Sequence, residues 1–229
     1  MNARIVALTQ PIISNNGNVG TDAPLMTVDE FVAYVARVSN PQNQTNTLTA
    51  AKLLKYLAKH KHWSPFEMVH IVMEINTTRD IARQILRHRS FTFQEFSQRY
   101  ADATRSLGFS HREARLQDTK NRQNSVEVKD PELQREWDNK QAKMIGCATE
   151  AYNWAINNGI AKEQARAVLP EGLTNSRMYM TGSLRSWIHY CQLRADNGTQ
   201  KEHREIAIDC WYQLMQHFPC LEDIGLVSE

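Results

Sequence analysis

The sequence is poor in the features that mark secreted, membrane-spanning and disulfide-linked proteins. Its cysteines form no CxxC pair, so a zinc or dithiol site of that type is not indicated. No apolar run reaches the roughly 18 residues that a membrane-spanning helix needs, and the segment before Gln10 is too short for a signal peptide. We therefore expect a cytoplasmic protein with reduced, structural cysteines. A nucleophilic cysteine stays open, although no catalytic motif surrounds Cys147, Cys191, Cys210 or Cys220.

A strong charge of either sign, internal repeats and low-complexity tracts are also absent. The 229 residues carry 27 basic and 25 acidic side chains, a net charge of +2. Nucleic-acid-binding domains usually carry a larger basic excess, and here the positive charge is clustered, which favours small anionic ligands. The length suits one large domain or two small ones. We expect a single domain over residues 1–229.

What the sequence does contain is a dense stretch of arginine and aromatic side chains, Arg87–Tyr100. It begins with Arg-His-Arg, and a carboxylate, a hydroxyl and a third arginine follow within ten residues. Guanidinium groups bind phosphate oxygens bidentately, and polar groups among aromatic rings orient a heterocycle. The stretch therefore indicates a site for a phosphate and a planar ring. The alternative is a charged helix end that runs into a partly buried turn.

The helix before this stretch carries arginines at Arg79, Arg83 and Arg87, with Gln84 beside them. The spacing of four residues stacks the arginines on one face, where like charges destabilise a helix. Such a row indicates compensation by anions or carboxylates. The alternative is solvated arginines whose stems cover an apolar patch, above all at Arg79.

Hydrophobic periodicity predicts an α+β fold, with a mixed or antiparallel sheet packed against several helices. The predicted strands are Arg4–Thr9, Met68–Ile75, Glu113–Gln117 and Thr174–Thr181. The first predicted helix begins at a capping box formed by Thr27 and Glu30 and ends at Ser39, and the last begins at a second capping box, Thr199 and Glu202, and ends at Pro219. The helices predicted between them are Leu48–His60, Asp80–His88, Pro131–Asn157, Lys162–Val168 and Gly182–Leu193. Thr77 and Asp80 are expected to cap the helix Asp80–His88. In Pro131–Asn157 a core stripe is expected at Leu133, Trp137, Met144, Ile145, Ala148, Tyr152 and Ile156.

The segment His60–Glu67 places two histidines, a hydroxyl and a carboxylate close to Pro65. A His-x-His pair invites a zinc interpretation, but the segment offers no clear third ligand. We expect no metal here and interpret the segment as a polar loop that faces a substrate.

The Arg-His-Arg motif, followed after seven residues by Ser97, resembles the signature of the flavin-dependent thymidylate synthases (ThyX). Other segments resemble blocks of that family in the same order, so the resemblance does not rest on one short motif. These segments are Ala36–Ser39, His60–Glu67, Ala82–Gln84, Ser97–Tyr100, Ala165–Pro170 and Leu193–Ala195.

The resemblance implies a reductive methylation of dUMP at C5 to give dTMP. Methylenetetrahydrofolate would supply the carbon, NADPH the reducing equivalents, and FAD would carry the hydride. The family uses no cysteine nucleophile, which agrees with the lack of a catalytic motif around any of the four cysteines. The resemblance also implies a homotetramer whose active sites are each built from several subunits.

By position, Arg194 resembles the residue that favours ionisation of uracil N3 and so activates the ring. The resemblance implies dUMP contacts from Gln84, Arg87, Glu95, Phe96, Ser97, Gln98, Arg99, Arg166 and Arg194, with Arg99 and Arg166 at the phosphate. It implies FAD contacts from Ser64, Arg87, His88, Arg89, Glu95, Ser183, Leu184, Arg185 and His189. Ser39, His62 and Glu67 fall in blocks near the flavin or folate.

Plainer interpretations remain for three of these residues. Ser183, where the family often has Asn, would serve only as a helix N-cap. Arg185 would pair with a carboxylate, and His189 would be a half-buried helix histidine. For the whole chain the competing functions are a family member that mainly oxidises NADPH, and a non-catalytic nucleotide- or RNA-binding protein.

Overall fold

A four-stranded antiparallel sheet forms the centre of the computed structural model, which describes residues 1–20 and 23–226. Its strands lie in the order β1 (Asn2–Leu8), β2 (His70–Thr78), β6 (Asn175–Ser183) and β3 (Thr92–Glu95). The expected fold class, α+β with an antiparallel sheet, is therefore confirmed. In the described part of the chain, no helix is long and apolar enough to cross a membrane.

Helices and a separate hairpin surround this sheet. The helices are α1 (Val28–Ala36), α2 (Ala50–Lys59), α3 (Arg79–Ile85), α4 (Ala103–Ser106), α5 (Pro131–Asn157), α6 (Lys162–Ala165), α7 (Leu184–Arg194), α8 (Lys201–Met215) and α9 (Leu221–Ile224). The hairpin consists of β4 (Arg115–Gln117) and β5 (Ser125–Glu127), and 3-10 turns cover Pro41–Asn43, Ser64–Met68 and Arg166–Val168.

The core lies between one face of the sheet and the helices α7 and α8. On β2 the alternate residues Ile71, Met73 and Ile75 are fully buried, as the period of two predicts. Met73 pairs with Met180 of β6, and Ile71 pairs with Gly182. Trp187 of α7 is buried against this face, and its indole N–H donates to the Ile71 carbonyl at 3.2 Å.

Gly182 allows the Arg-His-Arg turn to pack directly on the sheet. A Cβ at this position would stand 2.5 Å from Cδ1 and 2.7 Å from Cε1 of Phe91. Phe91 also meets Trp187 edge-on, with ring centroids 4.8 Å apart. The glycine is therefore required by the close approach of an aromatic ring.

The predicted capping box at Thr27 and Glu30 is confirmed, because both of its reciprocal hydrogen bonds are present. The second, at Thr199 and Glu202, is wrong. Helix α8 has Gln200 at its N-cap without a side-chain cap bond, since the Glu202 carboxylate turns to Arg115 instead, at 2.6 Å.

The predicted cap at Thr77 and Asp80 is also wrong. The N-cap of α3 is Thr78, again without a side-chain cap bond. Asp80 accepts a hydrogen bond from Arg112 at 2.7 Å, so an ion pair has taken the carboxylate away from the helix end. Predicted strand and helix limits elsewhere shift by a few residues, while Pro131–Asn157 matches α5 in full.

The core stripe predicted along α5 holds only in its C-terminal half. Leu133, Trp137 and Met144 remain 38%, 42% and 55% exposed. They face a cavity of about 930 Å³ between α5 and the hairpin. The buried residue in this half is Gln141, whose carboxamide accepts from the Arg112 N–H at 2.7 Å and donates to the Arg112 carbonyl at 2.8 Å. In this half of α5, hydrogen bonds between Gln141 and the backbone of Arg112 therefore take the place of apolar packing.

Candidate active site

The stretch Arg87–Tyr100 leaves the end of α3, turns at Phe91 and becomes the edge strand β3 beside β6. Beyond β3 the Phe96 N–H donates to the Arg177 carbonyl at 2.8 Å, which extends the strand pairing by one residue. The side chains of the stretch are thus held at the edge of the sheet, close to α3, α7 and α8.

The arginine row on α3 is compensated by carboxylates over its first two members. Arg79 and Arg83 each lie 3.6 Å from Glu95, and Arg83 also lies 3.2 Å from Glu171. Only 12% of the Arg79 side chain is exposed, so the solvated alternative is wrong for this residue. The Glu95 carboxylate also accepts a hydrogen bond from Ser176 at 2.7 Å. A ligand that binds Glu95 would therefore share this carboxylate with Ser176 and the two arginines.

Four guanidinium groups near this edge have no carboxylate within 4.0 Å in the part of the chain that the structure describes: Arg87, Arg89, Arg166 and Arg194. An arginine stays charged at any relevant pH and presents a planar set of donors. Arg87 and Arg194 both act on the same histidine, His88, and guanidinium groups without a carboxylate partner have a capacity to bind anions.

Arg194 and His88 are brought into direct contact. The Arg194 Nε–H donates to Nε2 of His88 at 2.9 Å. Burial, followed by the positive charges of Arg194 and Arg87, lowers the pKa of His88 to about 4. His88 is therefore neutral near pH 7, with its proton on Nδ1 and a lone pair turned to Arg194. This bond fixes the guanidinium while its two terminal NH₂ groups make no hydrogen bond within residues 1–20 and 23–226.

Gln84 lies beside this pair, in contact with residues that the sequence patterns did not single out. Its Oε1 is 3.3 Å from Nδ1 of His203, and its Nε2 donates to Gln200 at 2.7 Å. The His203 and His88 rings are 6.2 Å apart. We call Gln84, His88, Arg194 and His203 the Arg194 group. His203 was missed because a single histidine in a helix has no pattern of its own.

The two arginines predicted to bind a phosphate lie on either side of one residue, Glu163. Arg99 pairs with the Glu163 carboxylate at 3.1 Å, and Arg166 donates to the Glu163 carbonyl at 3.2 Å. Both members of the Arg99 pair are about half exposed, so the pair is weak, and an anion can compete for the guanidinium. Ser97 lies here too, because its Oγ accepts from the Arg99 N–H at 3.4 Å.

Gln98 carries an unpaired buried donor. The residue is 4% exposed, yet its Nε2 has no hydrogen-bond partner among the described residues. Leaving such a group unpaired costs about 1–3 kcal/mol. The amide therefore suits an acceptor from a ligand or from another copy of the chain.

A second group forms around Glu67 at the N-terminal end of α7. Arg185 pairs with Glu67 at 2.6 Å, and the Ser183 hydroxyl donates to the same carboxylate. Burial alone would raise the pKa of Glu67, but hydrogen bonds from Ser183 and Arg185 and nearby positive charge outweigh it, so the pKa is lowered. His189 is exposed, and its ring meets that of Trp63 edge-on with ring centroids 4.9 Å apart. We call these residues the Glu67 group.

The plainer interpretations of Ser183 and Arg185 are both met in this group. Ser183 caps α7 by accepting from the Ser186 N–H at 3.2 Å, and Arg185 pairs with a carboxylate. Leu184 is fully buried, and its N–H donates to the Val69 carbonyl at 2.7 Å. Within this chain Leu184 thus has no exposed side chain for a ligand. The predicted FAD contacts of these residues stay predictions.

The Arg194 group and the Glu67 group lie on different sides of α7. Arg185 and Arg194 are nine residues apart on the helix, which corresponds to about 13 Å along the axis and about half a turn around it. One chain therefore does not bring all predicted FAD contacts into one pocket. Ser64, at the start of its 3-10 turn, and His62 are both exposed.

The cavity of about 930 Å³ between α5 and the hairpin is lined in part by Gln200, which accepts a hydrogen bond from Gln84 of the Arg194 group at 2.7 Å. The residues of the Arg194 group themselves do not line this cavity. In residues 1–20 and 23–226 no three His, Cys, Asp or Glu side chains converge as a metal site would require.

The cysteines offer no nucleophile to the Arg194 group. Burial raises the pKa of the Cys191, Cys210 and Cys220 thiols. Cys147 is exposed on α5. A buried thiol with a raised pKa is inert.

Comparison with known proteins places this geometry in a family context. Residues 25–220 match the sequence model of the family described as thymidylate synthase complementing protein. The chain is 45% identical to a probable flavin-dependent thymidylate synthase of Paramecium bursaria Chlorella virus 1 over 96% of this chain and 97% of that protein. It is 47% identical to a flavin-dependent thymidylate synthase of Synechocystis over 96% of each.

The fold is similar to that of a UMP/dUMP methylase, PolB of Streptomyces cacaoi, solved with 5-Br dUMP. The TM-score is 0.76 and the sequence identity 23%, over 99% of this chain and 96% of that one. At this identity the likeness speaks for the fold alone.

Proposed function

The chain belongs to the family of flavin-dependent thymidylate synthases, and from that premise we propose that it converts dUMP to dTMP without a cysteine nucleophile. Methylenetetrahydrofolate is the carbon donor, NADPH the reductant and FAD the hydride carrier, in a single domain over residues 1–229. The reaction takes place in the cytoplasm, in keeping with four cysteines that form no disulfide.

The observation that carries the proposal is the contact between Arg194 and His88. A neutral histidine accepts the Nε–H and leaves the terminal guanidinium nitrogens for a ligand. A fixed positive charge of this kind stabilises negative charge that develops on a uracil ring at N3. Because the guanidinium is already held before substrate arrives, little reorganisation is needed when the ring ionises.

The phosphate of dUMP fits between Arg99 and Arg166, with Ser97 alongside. Arg99 pairs with the half-exposed Glu163 carboxylate, and Arg166 donates to the Glu163 carbonyl. A phosphate dianion therefore meets one weakly paired guanidinium and one that has no carboxylate partner among the described residues. The unpaired Gln98 amide supplies a donor in the same turn. Gln84 and Phe96 complete the set of residues assigned to the nucleotide. Arg87 and Glu95 contact both dUMP and FAD.

The residues available for FAD suit an anionic dinucleotide. Arg87 and Arg89 are exposed and unpaired in the described residues, and guanidinium forks match pyrophosphate oxygens. When bound, FAD supplies the hydride chemistry. On the other side of α7, Ser64, Ser183, Arg185 and His189 supply the remaining proposed contacts, with Ser39, His62 and Glu67 near the flavin or folate.

This separation supports a site shared between copies of the chain. The Arg194 and Glu67 groups lie about half a turn apart on α7, so a single ligand meets both only across an interface. The exposed apolar face at Leu133, Trp137 and Met144 supports self-association. We propose a homotetramer on this basis.

Tritium release tests the function. Protein is incubated with 5-tritiated dUMP, methylenetetrahydrofolate, NADPH and FAD, and tritium in water is counted. The proposal expects release that depends on all four components. NADPH consumption without release would favour an oxidase. A colourless protein that does not take up FAD would exclude both enzymes and favour a non-catalytic nucleotide-binding protein.

A further inference from the structure

A continuous chain of hydrogen bonds runs through the Arg194 group, with Gln84 at its middle. Its members, which we call the Gln84 chain, are Tyr190, His203, Gln84, Gln200 and Glu202. Nε2 of His203 is 3.1 Å from the Tyr190 hydroxyl, and Nδ1 is 3.3 Å from Gln84 Oε1. Gln84 Nε2 donates to Gln200 at 2.7 Å, and Gln200 Nε2 donates to Glu202 at 2.9 Å.

The direction of every bond follows from the Glu202 end. Burial would raise the pKa of Glu202, but hydrogen bonds and the charges of Arg112 and Arg115 outweigh it, so the pKa is lowered and the group is a carboxylate. A carboxylate only accepts, so Gln200 must turn its NH₂ to Glu202 and its carbonyl to Gln84. Gln84 must then turn its NH₂ to Gln200 and its carbonyl to His203.

The same logic fixes the histidine. Because Gln84 presents an oxygen, Nδ1 of His203 must carry the proton, and Nε2 must accept from the Tyr190 hydroxyl. His203 is fully buried. Burial, then the positive charge of Arg194, lowers the pKa of His203 to about 3. The ring is therefore neutral and uses one nitrogen as donor and the other as acceptor. This tautomer is the one in which all of its polar atoms are satisfied.

We propose that His203 is a positioning residue for the nucleotide, acting through Gln84. The hydrogen bond from His203 Nδ1–H fixes the orientation of the Gln84 carboxamide, so that the side chain is already in place beside Arg194 and His88 before dUMP binds. Gln84 has no comparable support from its own helix, since α3 ends one residue later. The inference rests on the proposed function, because Gln84 is assigned there to dUMP.

Two substitutions separate the two nitrogens of His203. In His203→Asn the side-chain amide stands near the position of Nδ1, so the bond to Gln84 is kept and that to Tyr190 is lost. In His203→Gln the amide stands near Nε2, so the reverse holds. We expect the dUMP Kd, measured by calorimetry on FAD-loaded protein, to rise about tenfold in His203→Gln and to stay within about twofold in His203→Asn. Bound FAD should not change in either.

A double-mutant cycle shows whether His203 acts through Gln84. In a Gln84→Ala background, His203→Gln should cause no further loss of dUMP affinity. Leu214→Ala serves as the control, because Leu214 is fully buried about three turns further along α8 and has no polar atom that could join the Gln84 chain. It should lower thermal stability and leave the dUMP Kd unchanged. Equal losses of affinity in the Asn, Gln and Leu214→Ala variants would indicate a merely structural role and overturn the inference.

The wild-type protein offers a test that no folding defect can obscure. Nitrogen NMR of ring-labelled histidine should show His203 as the neutral tautomer protonated at Nδ1, and a proton at Nε2 would overturn the inference. Wild-type protein that does not bind dUMP would overturn the proposed function, and the inference with it. Wild-type protein that binds dUMP, together with a His203→Gln variant of equal affinity, would overturn only the inference.

Discussion

Gly182→Ala tests how closely the Arg-His-Arg turn is packed on the sheet. The added Cβ would lie 2.5 Å and 2.7 Å from two carbons of the Phe91 ring. Ordinary carbon contacts begin near 3.5 Å, so the ring must retreat by roughly 1 Å. Overpacking of this kind costs about 1–3 kcal/mol. At about 2–4 °C per kcal/mol for a chain of this size, the Tm should fall by roughly 2–12 °C.

The displacement should also reach the site. Phe91 stacks edge-on with Trp187 and contacts the rings of Tyr190 and His88, whose centroids lie 5.9 Å and 6.5 Å away. A shifted Phe91 moves the turn that holds His88 against Arg194. We therefore expect Gly182→Ala to weaken dUMP binding as well as to lower the Tm.

Gly146→Ala is the matched control. Gly146 lies inside α5, is exposed, and a Cβ there would meet nothing within 4 Å. That substitution should stabilise the protein by about 0.5–1 kcal/mol through helix propensity. Thermal unfolding is compared at one protein concentration, because self-association makes Tm concentration-dependent.

Phe91→Leu supplies the specific check, since it removes the ring atoms that the Cβ would meet. It should cost less stability in the Gly182→Ala background than in the wild type. Equal costs in both backgrounds, or equal Tm values for the two glycine variants, would refute the packing argument.

Three further predictions concern charge and chemistry. The pKa values of His88 and His203 are lowered to about 4 and about 3, below the unfolded value of about 6.5, so the stability that these neutral histidines contribute is full above pH 6.5 and is lost as the pH falls. The free energy of unfolding, measured in urea, should therefore be lower at pH 5.5 than at pH 7.5, by up to about 1.4 kcal/mol per pH unit for each histidine. Equal free energies at the two pH values would contradict the assignment. Arg194→Ala should abolish tritium release, keep FAD and raise the pKa of His88 in an NMR titration, whereas loss of flavin would show that its role is misassigned. Replacing all four cysteines should leave release intact in a folded protein, and activity lost with one particular cysteine would contradict the mechanism.

Sequence patterns predict those helices and strands whose structure is determined by residues close to them along the chain. Periodicity identified β2 and the full extent of α5, and the box at Thr27 identified the start of α1, because these signals are local. The caps expected at Thr77 and Thr199 failed for a tertiary reason. The carboxylates of Asp80 and Glu202 pair instead with Arg112 and Arg115, which lie in and just before β4, in a segment of weak hydrophobic periodicity.

The candidate site shows the same division. The motif around Arg87–Tyr100 was visible because its residues are consecutive, and the compensation of Arg79 and Arg83 followed from like charge on one helix face. That Glu95 supplies this compensation depends on a strand that no local pattern announced. His203 reaches Gln84 from 119 positions away, so only the packing of α8 against α3 reveals it.

Formation of dTMP tests the central claim most directly. Purified protein is incubated anaerobically with dUMP, methylenetetrahydrofolate, NADPH and FAD, and nucleotides are separated by chromatography, with Arg194→Ala in parallel. We expect dTMP from the wild type only when all components are present, and none from the variant. NADPH oxidation without dTMP in the wild type, or equal dTMP from Arg194→Ala, would contradict the account.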